Sequence, residues 1–487
     1  MKDSSSGTTY KYQASFPHSR IGHTEALSPS TLFPEQIGFG CLLFLVAVTA
    51  TPFGMTSPLW EVILTCTIIL LAAIRITASI LLGRSVWGEY KMILAPLLCL
   101  LLLAFIQTIQ LNIPNRELVG VGDNAWWAIS ADPAATRRFV FILLSIVLFG
   151  YLLLQYTSTP LRLTILVHFI VGLTVVSAVL GMVQHIVRIG PTWLFPYAGL
   201  ERAYGQFGNR NHFALMMEMG LGLVFGLIAT CGAHRKHLGP YIVAASIISL
   251  AIVLTTSRGG ITSMLCMFLM AVASLVMGRR AKVPQDEDQR ERSARGWGIA
   301  LIARVGLGGA AFITFFIAVV WIGGDPLASR FERTNSDMVV QAGAVNPKEG
   351  RIRIWHGTLE LIKAHPIMGV GFGGYATAIP RYHEDTGEFI PYEAHNDFLE
   401  LQASGGVVGT ILFVWFIVEL FKRSFISLRS KQSFRKAVAL GSLVGLCGVA
   451  LHSLVDFGLH TPLNFIVCTI LVVLITVRNP SSQEVPG

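Results

Sequence analysis

Apolar runs of about twenty residues recur along nearly the whole chain, each long enough to cross a hydrocarbon layer of roughly 30 Å as a helix. Twelve stretches qualify: 37–53, 60–83, 92–112, 137–155, 161–188, 212–231, 239–256, 260–278, 299–322, 405–421, 437–457 and 462–478. In a bilayer only helices or closed barrels satisfy every backbone N–H and C=O, so runs of this length read as helices. Composition agrees. Of 487 residues 53% are hydrophobic and 13% charged, against about 25% charged in a soluble domain. The expected fold is an all-α polytopic membrane protein with about 12 transmembrane helices and a large, partly helical periplasmic loop between spans nine and ten.

The basic residues orient the chain. Lys+Arg number 37 against 28 Asp+Glu, but most of the excess lies in short loops between spans, where it sets topology rather than binding nucleic acid. With the N-terminus in the cytoplasm, the inside loops carry Arg84 and Lys91, Arg162, Arg235 and Lys236, then "GRRAKVPQDEDQRERSARG" and "KRSFISLRSKQSFRK". Both termini then fall inside. The expected divisions are a disordered cytoplasmic tail 1–36, spans one to nine over 37–322, a periplasmic catalytic loop 323–404, spans ten to twelve over 405–478 and a tail 479–487. The seven cysteines lie in or beside apolar runs and define neither a disulfide framework nor a zinc site.

In this topology the unusual polar residues gather at the outer face. Arg258 stands in "LTTSRGGITS", a tight turn between spans seven and eight. Arg202, Asn209, Asn211 and His212 stand in "RAYGQFGNRNHFA" at the entrance to span six. The loop before span ten contains "RIRIWHGTLELIKAHPIMGVG", where Ile352, Trp355, Leu359 and Ile362 recur at helical spacing. An amphipathic helix on the membrane surface is expected there, opened by Arg351 and Arg353. His395 closes the loop in "PYEAHNDFLELQASGG".

Each feature also has a plainer reading. An arginine in an outer turn can anchor to lipid phosphates, and a single histidine at a span boundary is commonly a hydrogen-bonded interfacial residue. His452 and Asp456 in "LHSLVDFGLH" share a helical face and can satisfy each other. Glu218 and Arg75 are costly inside spans and need partners or water. The "GVGFGG" run at 369–374 has no strand–helix unit around it and reads as turns rather than a nucleotide loop. The loop histidines 356, 365, 383 and 395 lack metal-ligand spacing, so no metal and no cofactor are expected.

Two or three guanidiniums on one face suit a pyrophosphate, whose oxygens the planar fork binds bidentately. A neutral imidazole beside them can take a proton from a hydroxyl nucleophile. If His395 opens the helix of span ten, the positive helix end disfavours imidazolium, while Glu393 and Asp397 pull the other way. A lipid pyrophosphate is a good leaving group, so a base with charge stabilisation is sufficient chemistry for glycosyl transfer.

Four segments in this order, "RAYGQFGNRNHFA", "TTSRGG", "EGRIRIWHGTLELIKAHPIMGVGFGGY" and "EAHNDFLELQASGGVVGTILF", resemble the O-antigen ligase and polymerase superfamily from about residue 200 to 420. The resemblance implies metal-independent transfer of glycan from an undecaprenyl-pyrophosphate donor to lipid A–core or a glycan acceptor, at the periplasmic face of a bacterial inner membrane. It implies His395 as general base and Arg258 and Arg351 as pyrophosphate ligands, with Arg353 the alternative to Arg351. Asn209, Asn211 and His212 would line the donor pocket, with Arg202 beside them. Besides the donor and acceptor, the expected partners are membrane lipids and not nucleic acid. A transporter or lipid flippase would use the same arginines as headgroup sites, but expects matched polar residues deep in both halves. An assembly partner without activity is the third reading.

Overall fold

The computed structural model describes residues 29–51, 58–83, 85–86, 88–109, 129–187, 204–231, 238–280, 351–382 and 391–477. Among the described residues there is no strand. The main helices are α1 (Pro29–Thr49), α2 (Pro58–Leu81), α3 (Lys91–Gln107), α4 (Pro133–Tyr156), α5 (Pro160–Val187), α6 (Arg210–Cys231), α7 (Leu238–Leu254), α8 (Arg258–Arg280), α9 (Arg351–Ala364), α10 (Asp397–Leu428), α11 (Ser433–His452) and α12 (Pro462–Thr476).

Every expected span overlaps a helix except 299–322, which lies outside the described residues; the helix meeting the span 437–457 already ends at His452. Six helices are long and apolar enough to cross a membrane: α2, α4, α5, α6, α10 and α11. The apolar parts of α1, α3, α7, α8 and α12 are shorter, 10–17 residues each. Helix α1 begins at Pro29, inside the expected tail 1–36. The part of the expected loop from 323 to 350 lies outside the described residues.

Several helix starts follow from local chemistry. Proline needs no hydrogen-bond acceptor at the first helical turn and supplies a helix-compatible φ, and α2, α4, α5 and α12 all begin on one. Asp132 precedes Pro133, and its Oδ1 accepts from Ala134 N and Ala135 N at 3.0 and 2.9 Å. Asn396 caps α10 in the same manner, accepting from Phe398 N and Leu399 N at 3.0 and 3.1 Å. Each cap satisfies donors that a helix start otherwise leaves unpaired.

The centre of the bundle is α6, packed against α5, α7, α8, α11 and α12. Its closest partner is α11. Gly222 and Gly226 of α6 face Gly441 and Gly445 of α11, and a Cβ on Gly222 would lie 2.5 Å from the Gly445 backbone. Two G-x-x-x-G faces thus meet backbone to backbone, which compensates in a bilayer for the missing hydrophobic drive between helices. The same faces carry Glu218 one turn before Gly222 and His452 near the end of α11.

The loop before α10 is built into the bundle rather than laid over it. Helix α9 forms as its periodicity predicts, but it buries Ile354, Gly357, Thr358 and Leu361. The expected stripe is displaced: Ile352 and Leu359 are exposed. The reason is a polar anchor on the other face, where the Thr358 hydroxyl meets the Tyr375 hydroxyl at 2.7 Å. The glycine run that follows does form turns. Val370 N and Gly371 N donate to Ala403 O and Ser404 O at 2.9 and 3.0 Å, and Gln107 of α3 donates to Met368 O and Ser404 O. These turns insert at a break in α10. Gly406 there has φ 61 and ψ −162, a left-handed region that favours glycine, and its Cα faces the Ile367 carbonyl. The expected tenth span, 405–421, begins at this break, and the helix extends in front of it back to Asp397.

Candidate functional site

At one end of the α6–α11 seam lies a cavity of about 260 Å³, lined by Arg210, Asn211, Ser257, Arg258, Gly259, Arg351, His452, Val455 and Asp456. Four sequence-distant elements build it. Asn209 and Arg210 open α6, with Asn209 Oδ1 accepting from Asn211 N at 2.9 Å. Ser257 opens α8, its Oγ accepting from Gly260 N at 3.2 Å. Arg351 opens α9. Asp456 follows the end of α11. Three helices therefore present their N-termini, the positive ends of their dipoles, to one space.

Asp456 is the hub. The Asn211 amide donates to its Oδ2, and Arg351 reaches the same oxygen at 3.3 Å. His212 Nε2 lies 3.5 Å from Oδ1, which also accepts from Phe457 N at 2.9 Å. Burial alone would raise this carboxyl, but the His212 contact, the His452 charge and the Phe457 N–H outweigh it and hold it at about 2. Asp456 is thus an anion at any working pH. Arg210, in turn, donates to Thr256 Oγ1 at 3.0 Å.

His395 sits beside the cavity rather than in its lining. Its ring packs edge-on against Phe457 with centroids 4.7 Å apart, and His212 contacts the same ring at 4.9 Å. It is not the first residue of α10: Asn396 is the cap and His395 precedes it. Its Nδ1 is buried without a hydrogen-bond partner. Burial and next the Arg351 charge lower its pKa below 6.5, with Asp456 and Glu393 opposing and His212 adding to the fall. The imidazole is therefore neutral at pH 7, as a proton acceptor must be.

Backbone strain collects at the same place. Thr256 and His395, at φ 54 and 53, are the non-glycine residues with positive φ among those described. Such conformations persist where surroundings over-determine them, often at functional sites. For a β-branched threonine the conformation is an outlier, and here it presents Oγ1 to Arg210.

A second polar cluster adjoins the first. His460 Nδ1 lies 3.1 Å from Glu393 Oε2, and its Nε2 is 3.6 and 3.8 Å from Asp397 and Glu400. Glu400 also accepts from Ala394 N at 2.9 Å. Burial opposes the charge on His460, but the three carboxylates outweigh it and raise its pKa. Ligand atoms of Glu393, Glu400 and His460 lie within 4.8 Å of one another, so this group also has the spacing to hold a metal ion.

The sequence-predicted residues divide accordingly. Arg258, Arg351 and Asn211 line the cavity. His212 and Asn209 stand behind Asn211, and His395 stands against Phe457. Arg353 is exposed and does not line the cavity. Arg202 lies outside the described residues. The expected His452–Asp456 pair does not form: His452 Nδ1 bonds Glu218 Oε1 at 2.6 Å, because Asp456 lies past the end of α11 and turns toward α6. Glu218 thereby gains the partner it needed, and Arg75 lies over the Tyr156 ring at 5.6 Å. Sequence reasoning passed over Arg210, although it stands between the two flagged asparagines, and over His460, whose acidic partners are about sixty residues away.

Residues 243–414 match the family model described as O-antigen ligase. That range includes Arg258, Arg351 and His395 but neither Arg210 nor Asp456. The Exopolysaccharide production protein ExoQ of Rhizobium meliloti (strain 1021) is 24% identical over 274 residues, covering 55% of this chain and 56% of that protein. The chain thus spans about half the length of the curated relative it matches. With its apolar helices the chain is a multi-pass membrane protein, and its residues 243–414 are similar to the O-antigen ligase family.

Proposed function

We propose that the protein transfers a glycan from undecaprenyl pyrophosphate to an acceptor hydroxyl at the periplasmic face of the inner membrane, without a metal. One observation carries this reading: Arg210, Arg258 and Arg351 converge on a cavity whose lining holds a single carboxylate, Asp456. Three guanidiniums against one carboxylate leave two positive charges, the complement of a pyrophosphate diester. The forks of Arg258 and Arg351 hold the phosphoryl oxygens, and the helix N-termini add their dipoles.

His395 is the base in this mechanism. The acceptor O–H gives its proton to the neutral imidazole as the oxygen attacks the anomeric carbon, and the bond to the pyrophosphate oxygen breaks. The arginines stabilise the negative charge that develops on that oxygen. Asn211 and His212 fix Asp456, which sets the fork of Arg351. Asn209 holds the turn behind them. Arg202 and Arg353 would serve as outer contacts to the donor.

The acceptor separates two versions of this chemistry. The ligase version caps lipid A–core; the polymerase version extends a second lipid-linked glycan. The name of the ExoQ relative, an exopolysaccharide production protein, favours a glycan acceptor. Purified protein in detergent with an undecaprenyl-pyrophosphate glycan tests both. A single capped product with added lipid A–core supports the ligase, and a ladder of longer lipid-linked glycans without it supports the polymerase. Folded protein that yields neither contradicts the proposal.

A further inference from the structure

We infer that His452, oriented by the buried Glu218, is the proton donor to the departing pyrophosphate. This rests on the transfer reading above, which assigns His452 no role. Glu218 is fully buried within α6, and His452, at the end of α11, is 1% exposed. Their Oε1···Nδ1 separation is 2.6 Å, and the hydrogen bond is the only one His452 side-chain nitrogens make among the described residues. A buried carboxylate accepting from Nδ1–H fixes the ring's orientation and stabilises the imidazolium, in which Nε2 also carries a proton.

That other nitrogen lies against Gly259, a residue of the cavity lining. His452 is a lining residue together with Arg258 and Gly259. A Cβ placed on Gly259 would stand 3.1 Å from His452 Nε2 and Cδ2, so the ring edge lies directly beneath the "SRGG" turn that presents Arg258. The first glycine of that turn, Gly259, is needed for the close approach of the imidazole. Groups facing His452 are Glu218 and Ser263 from the interior, Asp456 from its own chain end, and Arg258, Arg210 and Arg351 across the cavity.

The two imidazoles then take opposite tasks around Asp456. When the anomeric C–O bond breaks, its electron pair goes to the pyrophosphate oxygen. His452, starting as the imidazolium, passes its Nε2 proton to that oxygen and is left neutral, while His395 holds the proton from the acceptor. Transfer of one proton from His395 to His452 through solvent restores the starting state, so nothing is consumed beyond donor and acceptor. A neutralised leaving group matters because cleavage adds a third negative charge to a pyrophosphate that the arginines already match at two. Glu218 is a positioning residue: it touches no substrate and acts through the ring.

The test is single-turnover transfer by the full-length protein in detergent across pH 5.5–9. The assay uses an undecaprenyl-pyrophosphate glycan and whichever acceptor the wild type uses. A proton donor makes the wild-type rate fall on the alkaline side. His452→Gln is expected to lower the neutral-pH rate about 100-fold or more and to abolish that alkaline fall, with donor affinity little changed. Glu218→Gln is expected to lower the rate while keeping an alkaline fall at a shifted position. Gly259→Ala, which keeps both residues and only displaces the ring, is expected to lower the rate in step. It decides the matter alone if His452→Gln fails to fold. Wild-type rate and an unaltered alkaline limb in His452→Gln, or in Gly259→Ala if that variant must decide, would overturn the assignment while leaving glycosyl transfer intact. Transfer by no form of the protein, wild type included, would overturn both.

Discussion

The amide of Asn211 donates a hydrogen bond to the carboxylate of Asp456, 245 residues away. That bond joins the start of α6 to the end of α11 and fixes the one acid among three arginines. Asp456→Asn should therefore release Arg351 and lower transfer about 10- to 100-fold. Breaking a buried ion pair costs about 3–5 kcal/mol; because Arg351 is 42% exposed, a loss of about 1–2 kcal/mol is expected here. Thermal unfolding in detergent reads the second effect separately from the first.

Charge shape at the cavity predicts a graded series. Arg258→Ala and Arg351→Ala should each reduce transfer about 100-fold or more. Lysine restores the charge but not the fork, so Arg258→Lys and Arg351→Lys should recover only part of the loss. Steady-state rates with a fixed acceptor decide it. Full activity in Arg258→Lys would argue against bidentate pyrophosphate binding at that position.

The pH dependence of the base has a definite sign. Burial and Arg351 push His395 below the ordinary 6.5, so it stays neutral at pH 7 and gains a proton only as pH falls further. Transfer should hold steady down to about pH 6.5 and decline below it. A decline that began above pH 7 would mean a base with a raised pKa instead.

Little of this geometry was hidden from the sequence, and what was hidden has a cause. Span positions follow from hydropathy alone, and Arg258, Arg351 and Asn211 stand out as polar residues at span ends. Arg210 escaped because a fourth polar residue in "GNRNH" adds nothing to a pattern already polar. The pairing of His452 with Glu218 escaped because i, i+4 spacing on an assumed continuous helix pointed to Asp456, whereas α11 ends at His452. The α6–α11 contact rests on glycines, which carry no hydrophobic signal. The stripe on α9 was misread because Thr358, a polar residue, anchors the buried face through Tyr375.

His460 links pH to stability with the opposite sign. Its pKa is raised by Glu400, Glu393 and Asp397. Such a group contributes stability that is fully present below its unfolded value of about 6.5 and is lost as pH rises through the raised value. The melting temperature should fall above neutral pH as the clamp on the segment carrying His395 discharges. In His460→Gln that alkaline fall should be weaker and the neutral-pH value lower; a parallel curve would remove His460 from the account.

Chelation supplies an independent check. Turnover should be unchanged by EDTA, because arginines and imidazoles supply the charge that a metal would. Loss of activity restored by a divalent ion would contradict metal-free transfer and direct attention to Glu393, Glu400 and His460.

The central claim is that His395 takes the acceptor proton while the arginine cavity holds the donor. His395→Asn is the most direct variant, because asparagine tolerates the left-handed backbone that His395 adopts at φ 53. Donor affinity and single-turnover transfer would be measured together for the wild type and this variant. The account predicts transfer about 100-fold slower or worse, with donor affinity changed by no more than about threefold. Transfer at the wild-type rate would contradict it.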